Sequence, residues 1–199
     1  MSCGYCEKDA VYKCSVCCKL LCTEHVKLAT VCFSSAKKTK LASTIHKVMA
    51  EEEKSRIREF VRRFWGEETQ LAFDTRFVVA ELPAYIAKVN SGVIGFVSFA
   101  EMDDAFIIVA LAVLPQYQSS SVGSGLVKKV ENEAKRLGKR RVLVATSNDD
   151  LPALAFYQSL GFQVFEVKPN VIAEKHGTVL RGIGGLPVTD ELRLQKTLS

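Results

Sequence analysis

The sequence predicts an α+β domain, with a mixed and mostly antiparallel sheet flanked by helices, preceded by a small cysteine-rich module. Three observations carry this. All seven cysteines fall within the first 32 of 199 residues. The rest of the chain opens on an apolar stripe of helical period and continues through apolar runs of strand length separated by turn signals. Its second half then alternates strand-like and helix-like segments in the order β-α-β-α-β. This length suits one sizeable domain with a small appendage. With 48% hydrophobic and 25% charged residues, the composition is that of an ordinary globular protein.

The elements follow in order. Ile57, Phe60, Val61, Phe64 and Trp65 repeat at helical spacing, and Gly66 marks the stop. FVVAEL and AYIAKV read as strands, and Ser91-Gly92 as a hairpin turn before VIGFVSFAE. MDD turns the chain into AFIIVALAVL, whose unbroken apolarity predicts a central strand covered on both faces. Leu126, Val130, Ala134 and Leu137 define a second helix stripe, closed by Gly138. RVLVAT is a strand. DDLPALAFYQSLG is a short helix with an Asp cap, an early Pro and Gly161 as its stop. FQVFEV and ELRLQKTL complete the set as strands. Trp65, the sole tryptophan, reads as a core anchor or as part of a pocket wall.

Two features bear on location. The longest apolar run, 105–114, has roughly half the length a bilayer requires. The opening MSCGYCEKD places cysteines and charges where a secretory signal has its apolar core. A soluble cytoplasmic protein is expected. Charge divides the chain as the cysteines do: residues 1–50 hold eight Lys against three acids, and this +5 equals the net charge of the whole chain. The reading is therefore a cysteine module at 1–32, a basic linker at 33–46 and the main domain at 47–199.

Between the apolar strand and the second helix lies PQYQSSSVGSGL. A helix N-terminus leaves backbone N–H groups unsatisfied and carries partial positive charge, and small residues let an anion come close. The stretch reads as a phosphate cradle without the Lys-Ser/Thr ending of a Walker loop. Together with TSNDDLPALAFYQSLGF it resembles the GNAT family of acetyl-CoA-dependent N-acetyltransferases. The positions that carry the likeness are Val113, Pro115, Gln118, Ser121 and Gly123, then Asn148, Ala153, Phe156, Tyr157, Gly161 and Phe162. Ser121 departs from the family, which has glycine there; a conformation with φ > 0 would suit Ser less well.

The resemblance implies a function. Acetyl-CoA would be the cosubstrate, its pyrophosphate on Gln118, Ser119, Ser120, Ser121, Val122, Gly123 and Ser124. Its pantetheine arm would lie beside Leu111, Ala112 and Val113, where a backbone N–H polarises the thioester carbonyl. Asn148 would bind the pantetheine amide region, and Tyr157 would protonate the departing thiolate. The acceptor would be a primary amine, on a small molecule or a protein. An amine attacks only when neutral, so a base or a water chain must take its proton. Glu81, Glu101, Asp103 and Asp104 are candidates by position, each of which reads first as a solvated turn residue, and the base is left open. The segment EKHGTVLRGIGGLP lies where the family often builds its acceptor site, with His176 read as an exposed loop residue and Arg181 as a residue that could meet an acidic acceptor.

The front of the chain spells C-x2-C-x7-C-x2-C-x4-C-x2-H with Cys3, Cys6, Cys14, Cys17, Cys22 and His25. Such pairs suit tetrahedral zinc, and about 30 residues need a metal to fold. The spacing resembles B-box-type zinc fingers. That likeness implies Cys3, Cys6, Cys22 and His25 on one zinc, and Cys14 and Cys17 (or Cys18) with Cys32 and His46 on a second. A rival set of Cys3, Cys6, Cys14 and Cys17 on one ion is left open by the spacing. As partners, another protein or a second copy ranks ahead of nucleic acid, because the segment lacks interleaved aromatics, and no membrane is expected. A different class of function stays open beside catalysis: a zinc-finger interaction protein whose domain binds acetyl-CoA as a sensor.

Overall fold

The alternating runs become strands, and the computed structural model describes them within residues 2–4, 6–10, 12, 13, 20, 21, 43–118 and 120–198. The elements are β1 (Tyr12–Lys13), β2 (Leu20–Leu21), β3 (Thr44–Lys47), α1 (Glu51–Trp65), β4 (Thr69–Ala72), β5 (Thr75–Val78) and β6 (Ala84–Val89). They continue as β7 (Gly92–Glu101), β8 (Ala105–Val113), α2 (Val122–Arg136), β9 (Arg141–Ser147), α3 (Leu151–Ser159) and β10 (Gln163–Lys168). The chain closes with α4 (Val171–His176), β11 (Leu180–Arg181), β12 (Pro187–Val188) and β13 (Glu191–Thr197). Among the described residues no helix is long and apolar enough to cross a membrane.

Seven of these strands form one sheet in the order β10-β13-β9-β8-β7-β6-β3. Every neighbouring pair is antiparallel except β8 and β9. The mixed, mostly antiparallel sheet expected from the sequence is thus observed. On one face Leu126, Val127 and Val130 of α2 pack with Phe106 and Ile108 of β8, and Tyr157 and Phe162 join them from α3 and its exit. On the other face Ile57, Phe60 and Val61 of α1 pack on Ile86, Phe96 and Ala110. The central strand is covered on both sides, as its apolarity requires. Asp150 caps α3 by accepting from the Ala153 N–H at 3.0 Å, and Gly66, at φ 76, ends α1.

Ahead of β6 two elements depart from expectation. FVVAEL is a strand only at Phe77 and Val78; Val79–Glu81 turn as a single 3-10 turn. The strand pairs with β4, which carried no apolar run, through a turn at Phe73 and Asp74 with φ 50 and 60. The hairpin lacks the glycine that usually announces such a turn. It is held by other means: Phe73 stacks on Phe165 at 6.4 Å, and Arg193 lies over the Phe73 ring and pairs with Asp74 at 2.9 Å.

The second departure is β3, which draws Thr44, Ile45 and His46 out of the expected linker and pairs them with β6. Successive strand residues face opposite sides of a sheet. His46 accordingly donates to Glu53 of α1 at 2.8 Å, while Lys47 reaches Glu133 of α2 at 3.0 Å. Lys88 of β6 also donates to Glu53, at 2.9 Å. These bonds hold both carboxyls down to about 2: Glu53 through His46 and Lys88, Glu133 through Arg136 and Lys47. In the unfolded chain they return to the ordinary range near 4.5, so their contribution is intact above that pH and is lost as pH falls towards 2. Thermal melts at pH 7 and pH 3 should therefore show an acid loss of stability that Glu53→Gln reduces, with the variant less stable than the parent at pH 7.

Candidate active site

The site begins where two strands part. β8 and β9 pair in parallel only from Ala105 and Arg141 to Ile108 and Val144. Beyond that point β9 stays paired with β13 as far as Ser147, and β8 with β7 as far as Val113. The register between β7 and β8 shifts at the same place: Ser98 meets Ala110 while Phe99 meets Ile108, so Val109 is the extra residue of a β-bulge. The sheet thus opens into two half-sheets with a gap between them.

The backbone of β8 faces that gap with alternate residues. The Leu114 N–H donates to the Ile94 carbonyl at 2.8 Å, which sets the phase of the antiparallel ladder. Ala112 and Ala110 then turn their backbone groups to β7, while Leu111 and Val113 turn theirs into the gap. Ala112, expected to contact the pantetheine arm through its backbone, is therefore engaged by β7, and Leu111 and Val113 are the residues that present N–H groups. Gln118 already uses the gap-facing carbonyl of Val113, donating from Nε2 at 3.2 Å.

At the outer end of the gap stands the start of α2. Its first intrahelical bond is from the Gly125 N–H to the Ser121 carbonyl, and no side chain caps it. The N–H groups of Val122, Gly123 and Ser124 therefore point out of the helix end. The expected hydroxyl donors are turned inward: Ser120 donates to the Tyr117 carbonyl and Ser124 to that of Ser121. Ser119 lies outside the described residues. At Gly123 a Cβ would stand 3.2 Å from the Phe156 ring. Backbone N–H groups, rather than serine hydroxyls, are what this helix end could offer an anion, and strand N–H groups leading to an uncapped helix end fit a pantetheine-pyrophosphate chain.

The gap widens into a cleft of about 430 Å³. Phe64 and Trp65 at the end of α1 form one wall, Gln70, Leu71 and Ala72 of β4 another, and Ile172, Lys175 and His176 of α4 a third. Trp65 is 39% exposed, so it is a wall residue whose edge contacts Phe96. Tyr157 reaches the same cleft from α3, packed edge-on against Phe156 and Phe162. Burial, reinforced by the Asp150 charge, pushes its phenol well above the usual range, so it stays protonated.

Asn148 stands elsewhere. Its Oδ1 accepts from the N–H groups of Thr189 and Asp190, and its Nδ2 donates to the Pro187 carbonyl. The side chain ties down the segment before β13 and does not line the cleft. Asp149 does similar work, accepting from the Ile183 N–H at 3.0 Å. A Cβ on Gly182 would fall 1.9 Å from that carboxylate, so only glycine fits there. Arg181 donates to the Gly185 carbonyl within its own turn.

The acids weighed by position as bases are engaged away from the cleft: Glu81 with Arg58, Glu101 with Lys139, Asp104 with Arg140 and Arg141; Asp103 does not line it either. The acids that do line it are Glu67, Asp150 and Glu191; the sequence marked Asp150 as a helix cap alone, and no pattern marked the other two. His176, read as a loop residue, is the last residue of α4 and lines the cleft.

Of the metal-ligand set, Cys14, Cys17, Cys18, Cys22, His25 and Cys32 lie outside the described residues. Cys3 and Cys6 lie on one tight turn, closed by a Ser2–Asp9 bridge and a bond from the Cys3 N–H to the Lys8 carbonyl. Among the described residues no three potential ligands converge. His46 has its Nε2 engaged by Glu53.

Ser121 adopts φ 67, the left-handed region in which a Cβ is strained by about 1 kcal/mol. Ser121→Gly should therefore raise stability by about that amount in denaturant titrations and keep the fold.

Comparison with known proteins agrees with this geometry. Residues 46–162 match the sequence profile of the Acetyltransferase (GNAT) family. The uncharacterized protein YdhI of Bacillus subtilis (strain 168) is 27% identical over 151 residues, 73% of this chain and 92% of its own. A solved IAA acetyltransferase from Bacillus cereus ATCC 14579 aligns at a TM-score of 0.58 and 21% identity, over 79% of this chain and all (100%) of that one. A GNAT family acetyltransferase from Elizabethkingia anophelis, with acetyl-CoA bound, aligns at 0.60 and 21%, over 80% and 100%. At such identities the solved structures show a shared fold. With more than half of its length matched to the family profile, the chain belongs to the GNAT family of acetyltransferases.

Proposed function

We propose that this protein transfers an acetyl group from acetyl-CoA to a primary amine, with both substrates held together in the cleft between β8 and β9. The gap itself carries the reading: strand N–H groups that lead to an uncapped helix end offer a chain-shaped, anionic thioester a complete set of donors. The B. cereus and E. anophelis proteins, named as acetyltransferases, support it.

Acetyl-CoA supplies the activated acetyl group; this chain's residues do the rest. Val122, Gly123 and Ser124 hold the pyrophosphate through their N–H groups. The Leu111 and Val113 N–H groups orient the arm and polarise the thioester carbonyl. Tyr157 keeps a phenolic proton inside the cleft and delivers it to the departing sulfur. The amine's own proton passes to water or to Glu67 or His176, which line the cleft.

The first 32 residues we read as a zinc module that docks a protein partner, in a cytoplasm that keeps its thiols reduced. The Cys3–Cys6 turn, and the β1–β2 hairpin that brackets Cys14 and Cys17 in sequence, support this.

Two measurements test the proposal. In calorimetric titration the protein should bind acetyl-CoA and Gly123→Leu should not, while Tyr157→Phe should bind normally and release thiol about a hundredfold more slowly. Binding without any Tyr157-dependent turnover would favour the sensor reading. Chelation of the purified protein should release zinc and expose residues 1–32 to protease, with acetyl-CoA affinity changed by less than about twofold.

A further inference from the structure

The two edges of the sheet are built differently. β3, at one end, carries Thr44, His46 and Lys47 among its four residues. β10, at the other, leaves Val164, Phe165 and Val167 exposed by 39%, 43% and 52%. Among the described residues β10 pairs with β13 alone. An open edge rich in apolar, β-branched residues attracts another strand, and native proteins usually blunt it with charge or proline. The acid on β10 is engaged within its own chain: Glu166 meets Arg193 at 3.0 Å and Lys168 at 3.3 Å.

The backbone phase decides which strand fits. The Asn148 N–H donates to the Asp190 carbonyl and the Leu198 N–H to that of Arg140. Leu192, Leu194 and Lys196 therefore bond to β9, and Glu191, Arg193 and Gln195 turn to β10. Their partners on β10 are Lys168, Glu166 and Gln163. Val164 and Val167 accordingly turn their N–H and C=O groups to the open edge. Phe165 between them is the extra residue of a β-bulge, so the two outward valines stand three residues apart. A regular strand offers matching groups at every second residue; it meets one valine and misses the other. A strand with the same bulge, run antiparallel, meets both.

We infer that β10 pairs with β10 of a second copy about a two-fold axis normal to the sheet, Val164 of each copy opposite Val167 of the other. Both valines share a face with Leu192 and Leu194, so the valines of the two copies close over the axis on that face. On the other face the stacked Phe165 and Phe73 rings lie at the join. The bulge that fits this partner disfavours regular strands, so the edge is selective. β13 and β9 stand between it and the candidate cleft.

The test is sedimentation of the full chain, zinc-replete and under reducing conditions, from about 1 to 100 µM. A dimer with a Kd of about 10 µM or below is expected. Val164→Lys and Val167→Glu should each weaken it about tenfold or more, because each sets a charge against valine in the join. Combined in one chain, the two substitutions set opposite charges face to face and should restore the dimer to within about threefold of the parent. Both sites are exposed, so every variant should melt with the parent. A parent that stays monomeric at about 100 µM would overturn the inference. So would a dimer that survives both single substitutions, since it would lie on another surface. Single losses that the combined variant fails to rescue would overturn the two-fold register on which the inference rests.

Discussion

Parallel pairing between β8 and β9 ends after Ile108 and Val144, and the candidate site is built on that interruption. A sheet normally satisfies its backbone from strand to strand. Here the Val109 bulge turns β8 away from β9, leaving N–H groups at Leu111 and Val113 without a neighbouring strand. The same divergence makes room for the cleft and aims the start of α2 along its outer end. The domain tolerates the break because each half-sheet is complete on its own side: β9 is paired along its length with β13, and β8 with β7.

What keeps the halves together lies off the sheet. Leu126, Val127 and Val130 of α2 pack across β8 and β9 on one face. Glu131, almost wholly buried on the same helix, reaches Lys196 of β13, so one ion pair links the helix to the far half. On the near half His46 and Lys47 tie β3 to helices on opposite faces. Arg193 closes the other face by engaging Glu191, Glu166 and Asp74 together. Of the three carboxylates Glu191 alone is buried, so losing Arg193 would strand an uncompensated charge there.

Much of this was legible in residues 105–162. The unbroken apolarity of AFIIVALAV marked a strand covered on both faces, and the Asp150-Leu-Pro start marked α3. The serine-rich loop and Tyr157 stood out because small residues before a helix, and a tyrosine within FY…GF, are local patterns. Other features depend on partners distant in sequence. β3 looked like linker because Glu53 and Glu133, which give His46 and Lys47 their purpose, do not mark it locally. The β4–β5 hairpin turns on Phe73 and Asp74 without glycine, held by Arg193 far along the chain. Asn148 fits the family motif, yet its amide secures the segment at 187–190.

Trp65 has a consequence of another kind. It is the chain's sole tryptophan, and it stands in the cleft wall with part of its ring open to water. Indole emission shifts in colour and yield when nearby water is displaced. With no second indole to add background, the protein carries its own optical gauge of cleft occupancy, readable in the unlabelled chain.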